Sequence, residues 1–86
     1  MPETVKDQIR QFVTHIAERK GLTVASDDES LTSNGVIDSL GIFKLVSFLE
    51  DTFRVKVADD EITNESFESI NQIDRFVAGK LERRPA

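Results

Sequence analysis

Gly35-Val36-Ile37-Asp38-Ser39-Leu40-Gly41-Ile42-Phe43-Lys44-Leu45-Val46-Ser47-Phe48-Leu49-Glu50-Asp51-Thr52-Phe53 is the stretch that decides how the rest of the chain is read. Ile42, Leu45, Val46, Leu49 and Phe53 recur at the spacing that lines one face of an α-helix, which places a helix over 39–53. Asp38 stands immediately ahead of it, and its carboxylate is suited to accept hydrogen bonds from the open N–H groups of the first turn. The residues around Asn34-Gly35 do not alternate as paired strands would, so Gly35 is expected to supply a left-handed bend rather than a hairpin tip. Leu40 and Phe43 fall off the apolar stripe and Lys44 lies opposite it. This leaves a second, partly apolar surface near the N-terminus of the helix, on which a partner can dock.

Working outward, residues 21–37 are rich in turn formers, with Leu22, Val24, Leu31, Val36 and Ile37 scattered among them. A connection this long is uncommon in a small domain, and its aliphatic residues predict that it is pinned to a core. Before it, Val5, Ile9, Phe12, Val13 and Ile16 form one stripe of a helix over 4–20, with Thr4 and Asp7 at its start and Arg19, Lys20 and Gly21 at its end. After the second helix comes the connector Arg54-Val55-Lys56-Val57, then Asp59-Asp60-Glu61 and a short helical turn expected around Asn64 to Glu68. Ser69 and Gln72 form a capping-box pattern, followed by Ile70, Ile73, Phe76, Val77 and Leu81 at helical spacing, so a last helix is expected over 70–83. Three longer helices, one short one and no strand of useful length predict an all-α four-helix bundle filling a single domain, with an ordered core over 4–83.

Composition narrows the function. With 86 residues, 38% apolar and 31% charged, there is material for one core only. The net charge of −5 opposes binding to nucleic acid. It is also unevenly spread: residues 27–68 hold 11 acids and 3 bases, an acidic pole that is either solvated or steers basic partners. No cysteine and a single histidine leave no thiol nucleophile and no metal-ligand set. The first twenty residues carry charges every three or four positions, and no apolar run reaches membrane-spanning length, so a cytoplasmic location without a membrane span is expected.

Catalytic motifs fail one by one. Aligning Gly35 to the sixth position of a calcium-binding loop puts Ser30 first and Gly41 twelfth, with no carboxylate where the ion needs one. Ile37-Asp38-Ser39-Leu40-Gly41 lacks the leading glycine of a nucleophile elbow, and His15 reads as an exposed or boundary side chain. The acids are many, but their spacing singles out no general acid and base. Ser39 remains, at the first turn of a helix whose free N–H groups and dipole favour an attached phosphate. By itself, Asp-Ser at a helix start is ordinary capping.

The whole segment Gly35 to Gly41, followed by the apolar helix ending in Phe48-Leu49-Glu50-Asp51-Thr52-Phe53, resembles the phosphopantetheine attachment region of the acyl carrier protein family. The likeness runs from about Val5 to Leu81 and includes Leu31, Gly35, Val55-x-Val57, Asp59-Asp60-Glu61, Phe67-x-x-Ile70 and Ile73-x-x-Phe76-Val77. It implies a carrier with no catalysis of its own and no catalytic or metal-binding residues. Ser39 would be joined to a 4'-phosphopantetheine arm taken from coenzyme A by a phosphopantetheinyl transferase. Asp38 would cap the helix and help orient the transferase's metal and phosphate, and Leu40 would meet partner enzymes. The arm would supply the thiol that this chain lacks and hold acyl groups as thioesters.

Gly41 and Lys44 stand where the family often has acids, whereas Glu50 and Asp51 keep that pattern, and Phe43 adds an exposed aromatic contact of the kind that anchors interfaces. The expected partners are therefore acyl-loading and acyl-transfer enzymes of a specialised lipid or polyketide-type pathway, served by a monomer. An aminoacyl or peptidyl carrier is the alternative, and an unmodified acidic protein-interaction domain is another. Val57, Ile62, Leu49 and Phe67 are candidate linings for an interior that would hold a fatty chain, although core packing explains them equally well.

Overall fold

A computed structural model describes residues 4–63 and 65–82. Its elements are α1 (Val5–Arg19), α2 (Ser39–Phe53), a 3-10 turn (Asp59–Glu61) and α3 (Ile70–Glu82), with no strand among the described residues. None of these helices is long and apolar enough to cross a membrane.

Each helix begins on a cap visible in its sequence. At the start of α1 the Asp7 N–H donates to Thr4 Oγ1 at 3.0 Å and the Thr4 N–H returns a bond to the Asp7 carboxylate at 3.4 Å. At its end Gly21 has φ +72, which lets the Leu22 N–H reach the Ala17 carbonyl at 2.8 Å and the Gly21 N–H reach that of Glu18 at 3.1 Å. Arg54 closes α2 in the left-handed region, with φ 58 and ψ 42. Ser69 accepts from the Gln72 N–H at 3.2 Å and starts α3.

The short helical piece lies earlier than expected. Residues 65–67 make only a turn, Asn64 lies outside the described residues, and the 3-10 turn occupies Asp59–Glu61 instead. One local and one long-range contact hold it there: the Ala58 N–H donates to the Glu61 carboxylate at 2.8 Å, and the Lys80 ammonium of α3 pairs with that same carboxylate. The end expected for the last helix, at 83, is likewise outside the described residues.

The core is made by Ile9, Val13 and Ala17 of α1, Leu45, Val46, Leu49 and Phe53 of α2, Ile70, Ile73 and Val77 of α3, and Phe67. Residues 20–38 contribute Leu31, Val36 and Ile37, all 2% exposed or less, so the long connection is part of the core, as its aliphatic content predicted. Phe12 and Ile16 are only half-buried. Phe12 stacks on Phe48 of α2 with ring centroids 4.2 Å apart, and α1 packs directly against α3.

Polar bonds complete the pinning of the loop. The Leu31 N–H donates to the Glu68 carbonyl at 2.8 Å, and the Glu68 carboxylate accepts from Ser30 Oγ at 2.6 Å and Thr32 Oγ1 at 3.0 Å. Arg10 reaches across from α1 with a two-pronged bond to Asp27, at 2.9 and 2.7 Å, while also binding Asp7 at 2.7 Å. The Arg10 guanidinium holds both carboxyls below the usual carboxylate range, and the Asn34 amide does the same for Glu29.

These depressed values set a pH dependence. A carboxyl titrating lower in the folded chain contributes stability that is fully present above its unfolded value, about 4, and is lost as pH falls through the folded value. The melting temperature is therefore expected to stay level from about pH 7 to about pH 5 and to drop below about pH 4. Thermal unfolding followed by circular dichroism across this range checks it. Arg10→Gln should show a shallower acid drop, because Asp7 and Asp27 then titrate nearer their unfolded values.

Candidate functional site

The bend at Gly35, with φ +82, delivers the chain into Val36-Ile37, whose burial fixes where α2 can begin. Asp38 is extended, with φ −108 and ψ −173, and its Oδ1 accepts from the Gly41 N–H at 2.7 Å. Gly41 is buried, and a Cβ there would stand 3.3 Å from that capping oxygen. Glycine at this position thus leaves room for the cap. Lys20 Nζ closes the junction from α1, donating to the Val36 carbonyl at 2.9 Å and to the Gly35 carbonyl and Asp38 Oδ2 at 3.3 Å each. The Gly41 N–H, helped by Lys20, holds the Asp38 carboxyl below its ordinary range, so it is an anion at neutral pH.

Ser39 follows as the first residue of α2 and is exposed. Among the described residues its hydroxyl has no hydrogen-bond partner, because Asp38 does the capping. A nucleophilic or esterified oxygen is therefore available here without breaking any bond that holds the helix.

The other predicted site residues separate into groups. Leu40 and Phe43 are 73% and 61% exposed. Leu40, Lys44 and Asp51 line a groove of about 680 Å³ between α1 and α2, whose apolar floor includes Phe12, Ile16 and Phe48 and whose near end includes Asp38. Phe43 is exposed outside that lining. Glu50 is half-buried and turned to the connector, where its carboxylate accepts from the Val57 N–H at 2.9 Å. Leu49 and Phe67 are fully packed, and Val57 and Ile62 pack against the core, so ordinary packing accounts for these four residues.

Sequence reasoning missed the groove and the junction role of Lys20. The signal for the groove was present in part: Phe12 lies at the edge of the α1 stripe, and Phe48 lies off the α2 stripe, each on the side where the other stands. In the sequence Lys20 is only a charge at the end of a helix. Its contacts depend on how the loop returns, which no local pattern encodes.

The described residues thus form a helical domain that presents an unbonded serine at a capped helix start. No family model matches the chain. It is 39% identical over 67 residues to the D-alanyl carrier protein of Streptococcus pyogenes serotype M5, covering 76% of this chain and 85% of that protein. It is 41% identical over 46 residues to the D-alanyl carrier protein of Streptococcus uberis, covering 54% of this chain and 58% of that protein, so this second match spans little more than half the relative's length. The chain belongs to the acyl carrier protein family of phosphopantetheine-binding carriers, and it is a carrier without catalytic activity of its own.

The residues fit the family's prosthetic group. The exposed Ser39 hydroxyl would supply the ester oxygen, and the first turn of α2 would offer helix N–H groups and a positive dipole end to a phosphodiester. When attached, the group brings a distal thiol that holds a load as a thioester.

Proposed function

We propose that Ser39 is the residue that carries 4'-phosphopantetheine and that the load on its thiol is an aminoacyl group. The observation that supports the attachment point is the exposed Ser39 hydroxyl, left without a bonding role by the Asp38 cap. Asp38, anionic and next to that hydroxyl, helps orient the metal and phosphate brought by a phosphopantetheinyl transferase using coenzyme A. Leu40 and Phe43 give loading and transfer enzymes their apolar contact, with Lys44, Asp51 and Glu50 supplying the charge pattern around it. The protein works as a cytoplasmic monomer.

The load is argued from the relatives. Both are named for D-alanine, which favours an aminoacyl load over the lipid or polyketide-type pathway expected from Gly41 and Lys44. The packing of Leu49 and Phe67 supports the same choice, because a small polar load needs no interior chamber.

Incubating the purified protein with coenzyme A, magnesium and a broad-specificity transferase is expected to add the mass of one arm to the intact protein. A folded protein that gains no mass overturns the carrier reading and favours an unmodified interaction domain. Carrier recovered from its native cells is expected to hold an alanyl-sized adduct released by hydroxylamine. A fatty acyl adduct would overturn the choice of load while leaving the attachment site standing.

A further inference from the structure

We propose that Lys20 is a positioning residue for arm attachment: it fixes the second carboxylate oxygen of Asp38, Oδ2, in the orientation from which Asp38 directs the transferase's metal. This rests on the reading of Ser39 as the attachment point and of Asp38 as the acid that serves it.

The Lys20 ammonium is anchored before it meets Asp38. Its backbone closes α1, where the Lys20 N–H donates to the Ala17 carbonyl at 3.0 Å. Its Nζ crosses to the loop ahead of Ser39 and donates to the Val36 carbonyl at 2.9 Å and the Gly35 carbonyl at 3.3 Å. Neither carbonyl accepts from a backbone N–H among the described residues, so Lys20 is the donor that satisfies them. An ammonium has three protons, and the third is left for Asp38 Oδ2, at 3.3 Å. A lysine paired with a carboxylate alone follows it as it moves, whereas one held by two carbonyls is a fixed reference.

Asp38 needs such a reference. Its Oδ1 accepts from the Gly41 N–H at 2.7 Å, a single bond about which the carboxylate can still pivot. A second bond, to Oδ2 from an anchored donor, stops the pivot. The Asp38 side chain nevertheless remains 62% exposed, and a carboxylate oxygen can take a further partner, so Oδ2 stays open to a metal.

Holding a group in its working orientation beforehand lowers the barrier of the step that uses it. In that step the Ser39 oxygen bonds to the phosphorus on the pantetheine side of coenzyme A. The bond from this phosphorus to the bridging oxygen breaks, releasing the adenosine bisphosphate, and the hydroxyl proton leaves through a base of the transferase. Lys20 acts on this step through Asp38.

The test is steady-state arm addition with coenzyme A, magnesium and a broad-specificity transferase. Lys20→Met keeps the aliphatic stem and removes the donors, and circular dichroism checks that it is folded at the assay temperature. Its kcat is expected to fall on the order of ten-fold, with KM for the carrier within about two-fold of the wild type. A merely structural Lys20 gives the opposite split, because a smaller competent fraction raises KM and leaves kcat unchanged. An unchanged kcat therefore overturns the proposal, as does a raised one, which would mean that the cation repels the metal. Asp38→Asn keeps an oxygen for the cap and replaces the other. In that background Lys20→Met is expected to lower kcat no further, and a second full loss would show that Lys20 acts independently of Asp38. Nuclear magnetic resonance gives a readout that does not depend on the folding of Lys20→Met. The Lys20 ammonium protons of the wild-type protein are expected to exchange more slowly than those of exposed lysines and to shift in Asp38→Asn; a resonance that Asp38→Asn leaves unmoved overturns the proposal. Folded wild-type protein that accepts no arm would overturn the attachment reading and this inference together, whereas full conversion with equal kcat in Lys20→Met overturns this inference alone.

Discussion

Ser39→Ala is expected to accept no arm under conditions in which the wild-type protein is fully converted, while melting at nearly the wild-type temperature. The separation follows from the division of labour at the start of α2. Asp38 supplies the cap through its 2.7 Å bond from the Gly41 N–H, and the Ser39 hydroxyl bonds to nothing among the described residues. Ser39 is exposed, so alanine removes no packing, and it sits in a helix, where alanine is the most favourable residue. The stability change should stay within about 0.5 kcal/mol, as for surface substitutions away from special features. Asp38→Ala differs: the serine is still present, but the open N–H groups lose their acceptor and Lys20 loses a partner, so the melting temperature falls, and arm addition slows because the carboxylate that orients the transferase's metal is gone. Intact mass and thermal unfolding on the same two variants decide the matter. Arm addition to Ser39→Ala would move the attachment site elsewhere, and a large loss of stability in it would show that the hydroxyl has a structural role.

The three main helices were legible because each carries both a period and a cap. Thr4, Asp38 and Ser69 all accept from first-turn N–H groups as their sequence positions predict, and the left-handed bend at Gly35 is present. Within the stripes, however, period alone does not say which neighbour a side chain meets. Phe12 belongs to the predicted α1 stripe, yet it stacks on Phe48 at the edge of the core, while Ala17, too small to register in the pattern, is 1% exposed.

The acidic pole was legible only as charge. Asp27 binds Arg10, Glu29 accepts from Ala25 and Asn34, Glu50 accepts from Val57, and Glu68 accepts from Ser30 and Thr32. Much of what a charge count reads as a solvated or steering face is thus engaged in holding loops. Some of those bonds are local, but the Asp27 and Glu68 bonds join residues 17 to 38 positions apart, which only the closed fold brings together. The same holds for the 3-10 turn, since Asp59-Asp60-Glu61 reads as three solvated acids until Lys80 of α3 is seen to meet Glu61.

Phe67→Ala is expected to cost about 3–5 kcal/mol, the range for a large aromatic removed from a packed core. Phe67 is the largest fully buried side chain, and its ring meets that of Phe76 edge-on with centroids 5.4 Å apart. A domain of this length has a total stability of roughly 4–13 kcal/mol, so a large part of it would be lost. Urea unfolding should show a much lower midpoint with an unchanged slope, and a loss below about 1 kcal/mol would mean that the site collapses around the cavity. Phe67→Leu, which keeps most of the volume, should remain folded and expose how the site depends on this position. Glu68, the next residue, accepts the Leu31 N–H through its carbonyl, and the Leu31 carbonyl accepts the Ile37 N–H at 2.9 Å, one residue before Asp38-Ser39. Loosening position 67 therefore loosens the segment that presents the serine before it loosens α1. In Phe67→Leu, amide hydrogen exchange at Leu31 and Ile37 is expected to accelerate more than at Ile9 and Val13, and equal acceleration at all four would show that the domain opens only as a whole.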